Sequence, residues 1–370
     1  QSSALHSEWM KEYYPTIFED MKKRVAEGRY EPNGGVYVEC DCNVTSGEFM
    51  IRQFLKGQLF TREHFGYTSD SFWLPDTFGY NGNIPQIMKG CDVDYFYTTK
   101  IGWNEMNHFP FESFKWKGID GSEVLTHFNI THCFPDVDDI TRAVNGITLK
   151  ESSDMRLVAY GYGDGGGGCT YDMVESARAV AQIPGMPKVR MDMPDVFFKK
   201  AEESIRELPV WDGELYYENH RGTYTSQAFV KKNNRKGEYL LRNAELTGVL
   251  AALTDGAPYP KAQLDETWKL LLINQFHDIL PGTSIHEVYE NTKLEYEKMN
   301  TDGQMLLDHA LQSVLRHVQS EDGDVAVFNF LPWEVTAPLE DAHGRFLACV
   351  PACGYRIYKK QDRPSWKQGV

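Results

Sequence analysis

Basic residues are scarce in this chain. Only 38 Lys and Arg stand against 53 Asp and Glu in 370 residues, giving a formal charge of −15. Phosphate neutralisation needs clustered Lys and Arg, so this balance argues against a nucleic-acid or anionic-membrane partner and favours an uncharged substrate. Long apolar runs are missing too: no stretch can span a bilayer, and no secretory leader is visible in a chain that begins at Gln1. The seven cysteines, Cys40, Cys42, Cys91, Cys133, Cys169, Cys349 and Cys353, lack the spacing of a zinc ribbon or a secreted disulfide framework and read as free thiols.

What the chain does have is apolar and aromatic material. Hydrophobic residues make up 41%, with 20 Tyr, 20 Phe and 8 Trp, enough for a sizeable core in two or three domains and for flat surfaces that suit sugar faces. Its first half alternates between strand and helix patterns. An amphipathic helix is predicted over Ser7–Ala26, a strand over Val36–Glu39, and a helix opening at Ser46-Gly47-Glu48. A strand Ser71–Leu74, a helix Ile84–Lys89 and a strand Tyr95–Thr99 follow, and this alternation implies a parallel sheet. Ser113–Trp116 and Val124–Phe128 read as a hairpin-like insertion, Leu157–Tyr162 and Val189–Met191 as strands, and Tyr171–Ala181 and Val196–Ile205 as helices.

From Ser226 the period changes to three long helices, Ser226–Leu253, Leu264–Leu280 and Ile285–His317, a bundle pattern. The second carries two apolar faces, with His277 on the face shared by Leu270 and Ile273, so it can present His277 to a neighbouring part of the fold or bury it structurally. After Gly323 the strand-like Val325–Phe328 and Phe346–Val350 begin a β domain too small to stand alone. The stretch Trp73-Leu74-Pro75-Asp76-Thr77-Phe78-Gly79 puts a carboxylate at a strand's carboxyl end, where α/β folds gather their chemistry; a helix-capping Asp is the alternative. Asp164, in Gly163-Asp164-Gly165-Gly166-Gly167-Gly168, is a second carboxylate at a strand end, or a turn residue.

Trp73–Gly79, Gly161–Gly168, His220-Arg221-Gly222-Thr223-Tyr224-Thr225 and Gln275-Phe276-His277-Asp278 occur in an order that resembles glycoside hydrolase family 38 α-mannosidases of the bacterial and cytosolic type. Val38-Glu39-Cys40-Asp41-Cys42-Asn43, Arg52-Gln53-Phe54-Leu55 and Pro85–Gly90 extend the resemblance over essentially the whole chain. It implies an α/β architecture: a seven-stranded β/α barrel, here incomplete, over residues 1–215, a three-helix bundle over 216–318, and the start of a β-sandwich domain over 319–370. It also implies retaining hydrolysis of terminal α-mannosides with one divalent metal, usually zinc and sometimes cobalt, in the cytoplasm. Asp76 matches the nucleophile and a metal ligand, His277 a second ligand, and Phe78, Lys100, Asp278 and Asp41 the sugar contacts. Asp164 is the candidate general acid.

The residue types suit that chemistry, because the cis 2,3-diol of mannose can chelate one cation while a carboxylate attacks the anomeric carbon and a neutral acid protonates the leaving oxygen. The family's upstream His-x-His-x-Asp segment is not present, so the chain is read as truncated at both ends and expected to be nearly inactive by itself. Asp76 and His277 alone would leave half of a zinc ion's tetrahedral positions to water. A mannose-containing oligosaccharide is the expected partner, with neither nucleic acid nor membrane, and a homo-oligomer is left open. A carbohydrate-binding remnant and a metal-dependent sugar deacetylase are the competing readings.

Overall fold

The computed structural model describes residues 2–163, 167–204, 206–361 and 363–364; Asp164, the expected helix end at Ile205 and the terminal Lys367–Val370 lie outside them. The chain divides into two units, residues 1–238 with 269–297, and 239–268 with 298–370. The first opens with helices α1 (Ala4–Tyr13) and α2 (Pro15–Ala26) instead of one continuous helix. Pro15 cannot donate to the preceding turn and so starts a new helix at its first position. Helix α3 (Gly47–Phe65) ends in a left-handed Gly66 cap, and strands β1 (Ser71–Trp73) and β2 (Gly79–Tyr80), helix α4 (Ile84–Gly90) and strand β3 (Tyr95–Thr98) follow.

Next come β4 (Ser113–Lys117), β5 (Glu123–Phe128), β6 (Ile130–Cys133), α5 (Val137–Asn145), β7 (Val158–Tyr160), α6 (Tyr171–Val180), α7 (Pro194–Ser204), β8 (Val210–Asp212) and β9 (Leu215–Tyr216). The main sheet has the order β1-β3-β5-β4-β8. Its first three strands are parallel, but β4 runs antiparallel to β5, so the sheet is mixed and the expected hairpin insertion lies within it. The expected strand Val36–Glu39 forms one isolated bridge, at Val36, Val189–Met191 forms no strand, and β6, which pairs parallel with β7, has no counterpart in the sequence pattern.

Residues of β1 and β3 alternate between two buried faces. Phe72 meets Phe54 of α3 at 4.7 Å and Phe96 at 5.7 Å, while Trp73 stacks on Tyr97 at 5.1 Å and Tyr95 stacks on Phe198 of α7 at 4.8 Å. Burial on both faces is what makes these strands read as continuous apolar runs, each large side chain contributing about 1.5–3 kcal/mol of transfer free energy. Gly57 is required where α3 crosses Val36, because a Cβ there would strike the Val36 backbone.

Helices α8 (Ala228–Asp255), α9 (Lys261–Ile273) and α10 (His286–Leu315) correspond to the three predicted long helices, with one consequential difference. α9 stops at Ile273 and not at Leu280, so His277 stands on the irregular segment after the helix and not on its second face. In the second unit, β10 (Val325–Asn329) pairs with β13 (Gly354–Tyr358) and β11 (Val335–Asp341) with β12 (Gly344–Val350), all antiparallel. Phe346, Ala348, Val350 and Tyr358 form their shared core. Among the described residues no helix is long and apolar enough to cross a membrane, and all seven cysteines are free.

One buried acidic cluster gives the first unit a pH dependence. Asp195, in the first turn of α7, accepts from Tyr67 at 2.7 Å and Ser71 at 3.0 Å. Burial, with the charge of Asp195 beside it, pushes the Glu31 carboxyl up from its ordinary 4.5 to about 7. The folded state therefore binds a proton that the unfolded chain has released, so this stabilisation is complete below pH 4.5 and is lost as pH rises through about 7. Glu31→Gln, neutral throughout, should raise the urea midpoint at pH 8 and leave it nearly unchanged at pH 4.5; a difference that does not vary with pH would contradict this account.

Candidate active site

The register of β1 on β3 is the first thing that builds the site. Ser71 faces Tyr95 and Trp73 faces Tyr97, so extending the same offset past the strand ends sets Asp76 beside Lys100. The chain keeps that alignment. Leu74 N–H donates to Tyr97 O at 3.2 Å, and the Pro75 carbonyl accepts from Thr99 N–H at 3.2 Å and Lys100 N–H at 3.1 Å. The buried Tyr80 hydroxyl reaches the carbonyls of Leu74 and Thr77, both at 2.8 Å, and fixes the turn from below. Lys100 Nζ then donates to Asp76 Oδ1 at 2.5 Å.

The second half of the site arrives by backbone pairing. Asp41 N–H donates to Gln275 O at 2.8 Å and His277 N–H to Glu39 O at 3.0 Å, with Cys40 bridged antiparallel to Phe276. Glu39 O also lies 2.9 Å from His277 Nδ1. A carbonyl only accepts, so Nδ1 carries the hydrogen and Nε2 is left facing Asp76 and Asp278. Nε2 is 3.7 Å from Asp76 Oδ2 and 3.6 Å from Asp278 Oδ2, both too long for good hydrogen bonds.

Those separations suit a shared cation. Two ligand atoms at about 2.1 Å from a tetrahedral zinc ion stand roughly 3.4 Å apart. Asp76, His277 and Asp278 offer one ligand atom each, all within 4.8 Å of one another, and they are the only such trio among the described residues. The donor set, one imidazole nitrogen and two carboxylates, fits zinc or cobalt. Asp278 is held in place by its neighbours: its Oδ1 accepts from Thr283 Oγ1 at 2.5 Å, and its carbonyl accepts from Thr283 and Ser284 N–H, both at 3.0 Å.

Electrostatics agree with geometry. Burial works to raise the Asp76 carboxyl, but His277 and Lys100 outweigh it and hold it at about 2, so Asp76 is ionised at neutral pH. Burial lowers His277, whereas Asp76, Glu39 and Asp278 together raise it above the ordinary histidine value. Surroundings that draw a proton to this imidazole also draw a metal cation.

Around this centre the expected sugar contacts take different places. Phe78 is buried, its ring 4.8 Å from His220, and lines a small pocket with Asp41, Tyr216, His220 and Tyr224. Asp41 is also buried. Its Oδ1 accepts from Val44 N–H at 2.6 Å and Asn43 N–H at 3.1 Å, and burial raises its carboxyl despite those donors. Trp103 and Tyr217 are features the sequence reading missed: Lys100 Nζ lies 4.7 Å from the Trp103 ring centre and 5.9 Å from that of Tyr217. The spacing Lys100-x-x-Trp103 in one short 3-10 turn was the available signal. Asp164 lies outside the described residues, so its relation to Asp76 is not part of this geometry.

Residues 1–214 match the family described as glycosyl hydrolases family 38 N-terminal domain. The chain belongs to glycoside hydrolase family 38. Residues 218–314 match the alpha mannosidase middle domain that accompanies it. Human alpha-mannosidase 2C1 is 39% identical over 363 residues, covering 96% of this chain and 35% of that protein. Alpha-mannosidase G of Dictyostelium discoideum is 42% identical over 295 residues, 79% of this chain and 27% of its own. The chain thus spans about a third of the length of the first of these relatives and about a quarter of the second. Among solved structures, an alpha-mannosidase from Enterococcus faecalis V583 superposes with a TM-score of 0.76 at 21% identity, covering 91% of this chain and 40% of that one, a likeness of fold.

If Lys100 and His277 hold the Asp76 carboxyl down, Lys100→Met should move its titration midpoint upward from about 2 in the metal-free protein. Carbon-detected NMR of the Asp76 carboxyl checks this, and an unmoved midpoint would remove Lys100 from the electrostatics of the site.

Proposed function

We propose that this chain supplies the catalytic machinery of a retaining, metal-dependent exo-α-mannosidase acting on terminal α-mannosides of oligosaccharides. The observation that carries this reading is the ionised Asp76 carboxylate at a strand end, with Lys100 on Oδ1 and His277 facing Oδ2. The names of the family 38 relatives as alpha-mannosidases support the substrate class. The cytoplasmic location and the division into a β/α barrel (1–215), a three-helix bundle (216–318) and a β-sandwich start (319–370) belong to the same reading. Matches over 1–214 and 218–314 support that division.

Asp76 Oδ2, His277 Nε2 and Asp278 Oδ2 are the atoms that would hold the divalent ion. When bound, such an ion supplies Lewis-acid attraction for the vicinal hydroxyls of mannose. The protein's own residues do the rest. Asp76, kept ionised, attacks the anomeric carbon and forms a glycosyl ester as the glycosidic C–O bond breaks. Asp164, proposed from sequence as the general acid, gives its proton to the departing oxygen and then takes one from the water that cleaves the ester. Lys100 orients the Asp76 carboxylate, and Phe78 and Asp41 belong to the sugar-binding surface.

The decisive measurement is turnover of an aryl α-mannoside with an activated leaving group, with and without a chelator. Asp76→Asn should cost about three orders of magnitude or more in kcat for every substrate, while Asp164→Asn should harm poor leaving groups far more than the activated aryl mannoside. A fluorosugar inactivator should label Asp76. Finding the sugar on Asp41, Asp164 or Asp278, or turnover insensitive to chelators, would overturn the assignment.

A further inference from the structure

A chain that leaves a helix inside a core must find partners for its polar groups, because a buried donor or acceptor left unpaired is costly. After α9 ends at Ile273, the segment carrying His277 and Asp278 does this through its backbone pairing with residues 39–41 and through the side chain of Gln275. Gln275 is fully buried, and so are the residues that receive it, Gln53 on α3 and Asn234 on α8. Gln275 Oε1 accepts from Gln53 Nε2 at 3.1 Å, and Gln275 Nε2 donates to Asn234 Oδ1 at 3.0 Å. Asn234 in turn donates to Glu238 Oε1 at 3.2 Å, which also accepts the Ser46 N–H at 3.1 Å.

Gln53 has a second task on each side. Its Nε2 also donates to Leu272 O at 3.0 Å, at the end of α9, while its Oε1 accepts from Val38 N–H at 3.1 Å. Val38 precedes Glu39, the residue whose carbonyl receives both the His277 N–H and its Nδ1–H. The two amides thus grip both partners of the pairing that aims the imidazole: Gln53 holds the Glu39 side and Gln275 the His277 side. An apolar residue at either position keeps the volume and loses the register, because it can neither accept from one neighbour nor donate to the next.

We propose that Gln275, clasped to Gln53, is the positioning residue of the ligand set, fixing the direction of His277 Nε2 and the reach of Asp278. This rests on the metal reading above and specifies how the chain prepares those ligands before any ion binds. Surrounding groups that orient metal ligands are worth about 10–100-fold in metal affinity.

The test compares wild type, Gln275→Leu and, should that variant fold poorly, Gln53→Met, using cobalt(II) as the probe on metal-stripped 370-residue protein. Two readouts are taken together. Hydrogen exchange at the His277 amide, measured without metal, should quicken at least about tenfold in the variants while the amides of Phe72 and Phe96 keep wild-type protection. Cobalt(II) affinity should fall about 10–100-fold, with a changed visible absorption band reporting altered ligand geometry. Unchanged exchange at His277 would overturn the positioning role whatever the metal does. Equal slowing or quickening at His277, Phe72 and Phe96 would reduce the effect to general stability and overturn it as well. Wild type that binds no cobalt(II), beside selective loss of protection in the variants, would instead sink the metal reading and leave the positioning role standing.

Discussion

The site depends on one short antiparallel pairing, residues 39–41 against 275–277, made by two backbone hydrogen bonds and one from an imidazole. Asp76 and Lys100 are fixed by the strand register of the first unit, but by themselves they are only a half-buried ion pair. The pairing brings a ring nitrogen and a second carboxylate to the same point and, by occupying Nδ1, decides which nitrogen faces them. A loop of this kind is normally the mobile part of a fold. Here it is tied into the core, which is where precision of about half an ångström can be maintained.

That arrangement carries an electrostatic cost that explains its composition. Asp76, Glu39 and Asp278 lie around a single imidazole, and like charges gathered in a partly dry site repel. Lys100 compensates on one side, while His277 is pushed towards its charged form on the other. In the proposed holo-protein a divalent cation answers the same demand more completely, since it places two charges where the proton places one. The acidic trio therefore reads as a site with a charge requirement, and His277 together with Lys100 keeps Asp76 ionised.

The sequence made some of this legible and hid the rest for physical reasons. Asp76 could be located because a proline and a glycine end the strand after a short apolar run, and β1 and β3 could be recognised because both faces are buried. The link between Asp76 and Lys100 needs the register, which no local pattern contains. The sequence places His277 on a helix face because Ile273 and His277 continue the periodicity of α9; in the structure the His277 N–H goes to Glu39 O, and the helix stops at Ile273. The apolar stretch Val36–Glu39 has strand composition, yet its hydrogen bonds go to Gln53 and to the loop at 275–277, so no ladder forms. The mixed direction of β4 escapes a rule based on alternation, because turn residues at 118–121 mark a hairpin without saying that it enters the main sheet.

A single carboxylate asked to bind a metal and attack a sugar faces a conflict, since ligation withdraws the electron density that attack requires. The geometry of Asp76 suggests how the proposed enzyme eases it. Lys100 engages Oδ1 at 2.5 Å while Oδ2 is directed towards His277 at 3.7 Å, so the two oxygens are already unlike before any ligand arrives. A carboxylate whose two oxygens have different neighbours can keep one in the ligand set and present the other to carbon, and Lys100 can stay with whichever oxygen gains negative charge. The flexible ammonium suits that task better than a guanidinium would, because it is a point charge on a long stem and not a rigid fork that locks both oxygens together. Trp103, 4.7 Å from Nζ, confines that stem without forming a second ion pair, so the cation stays at the site and remains free to follow the carboxylate.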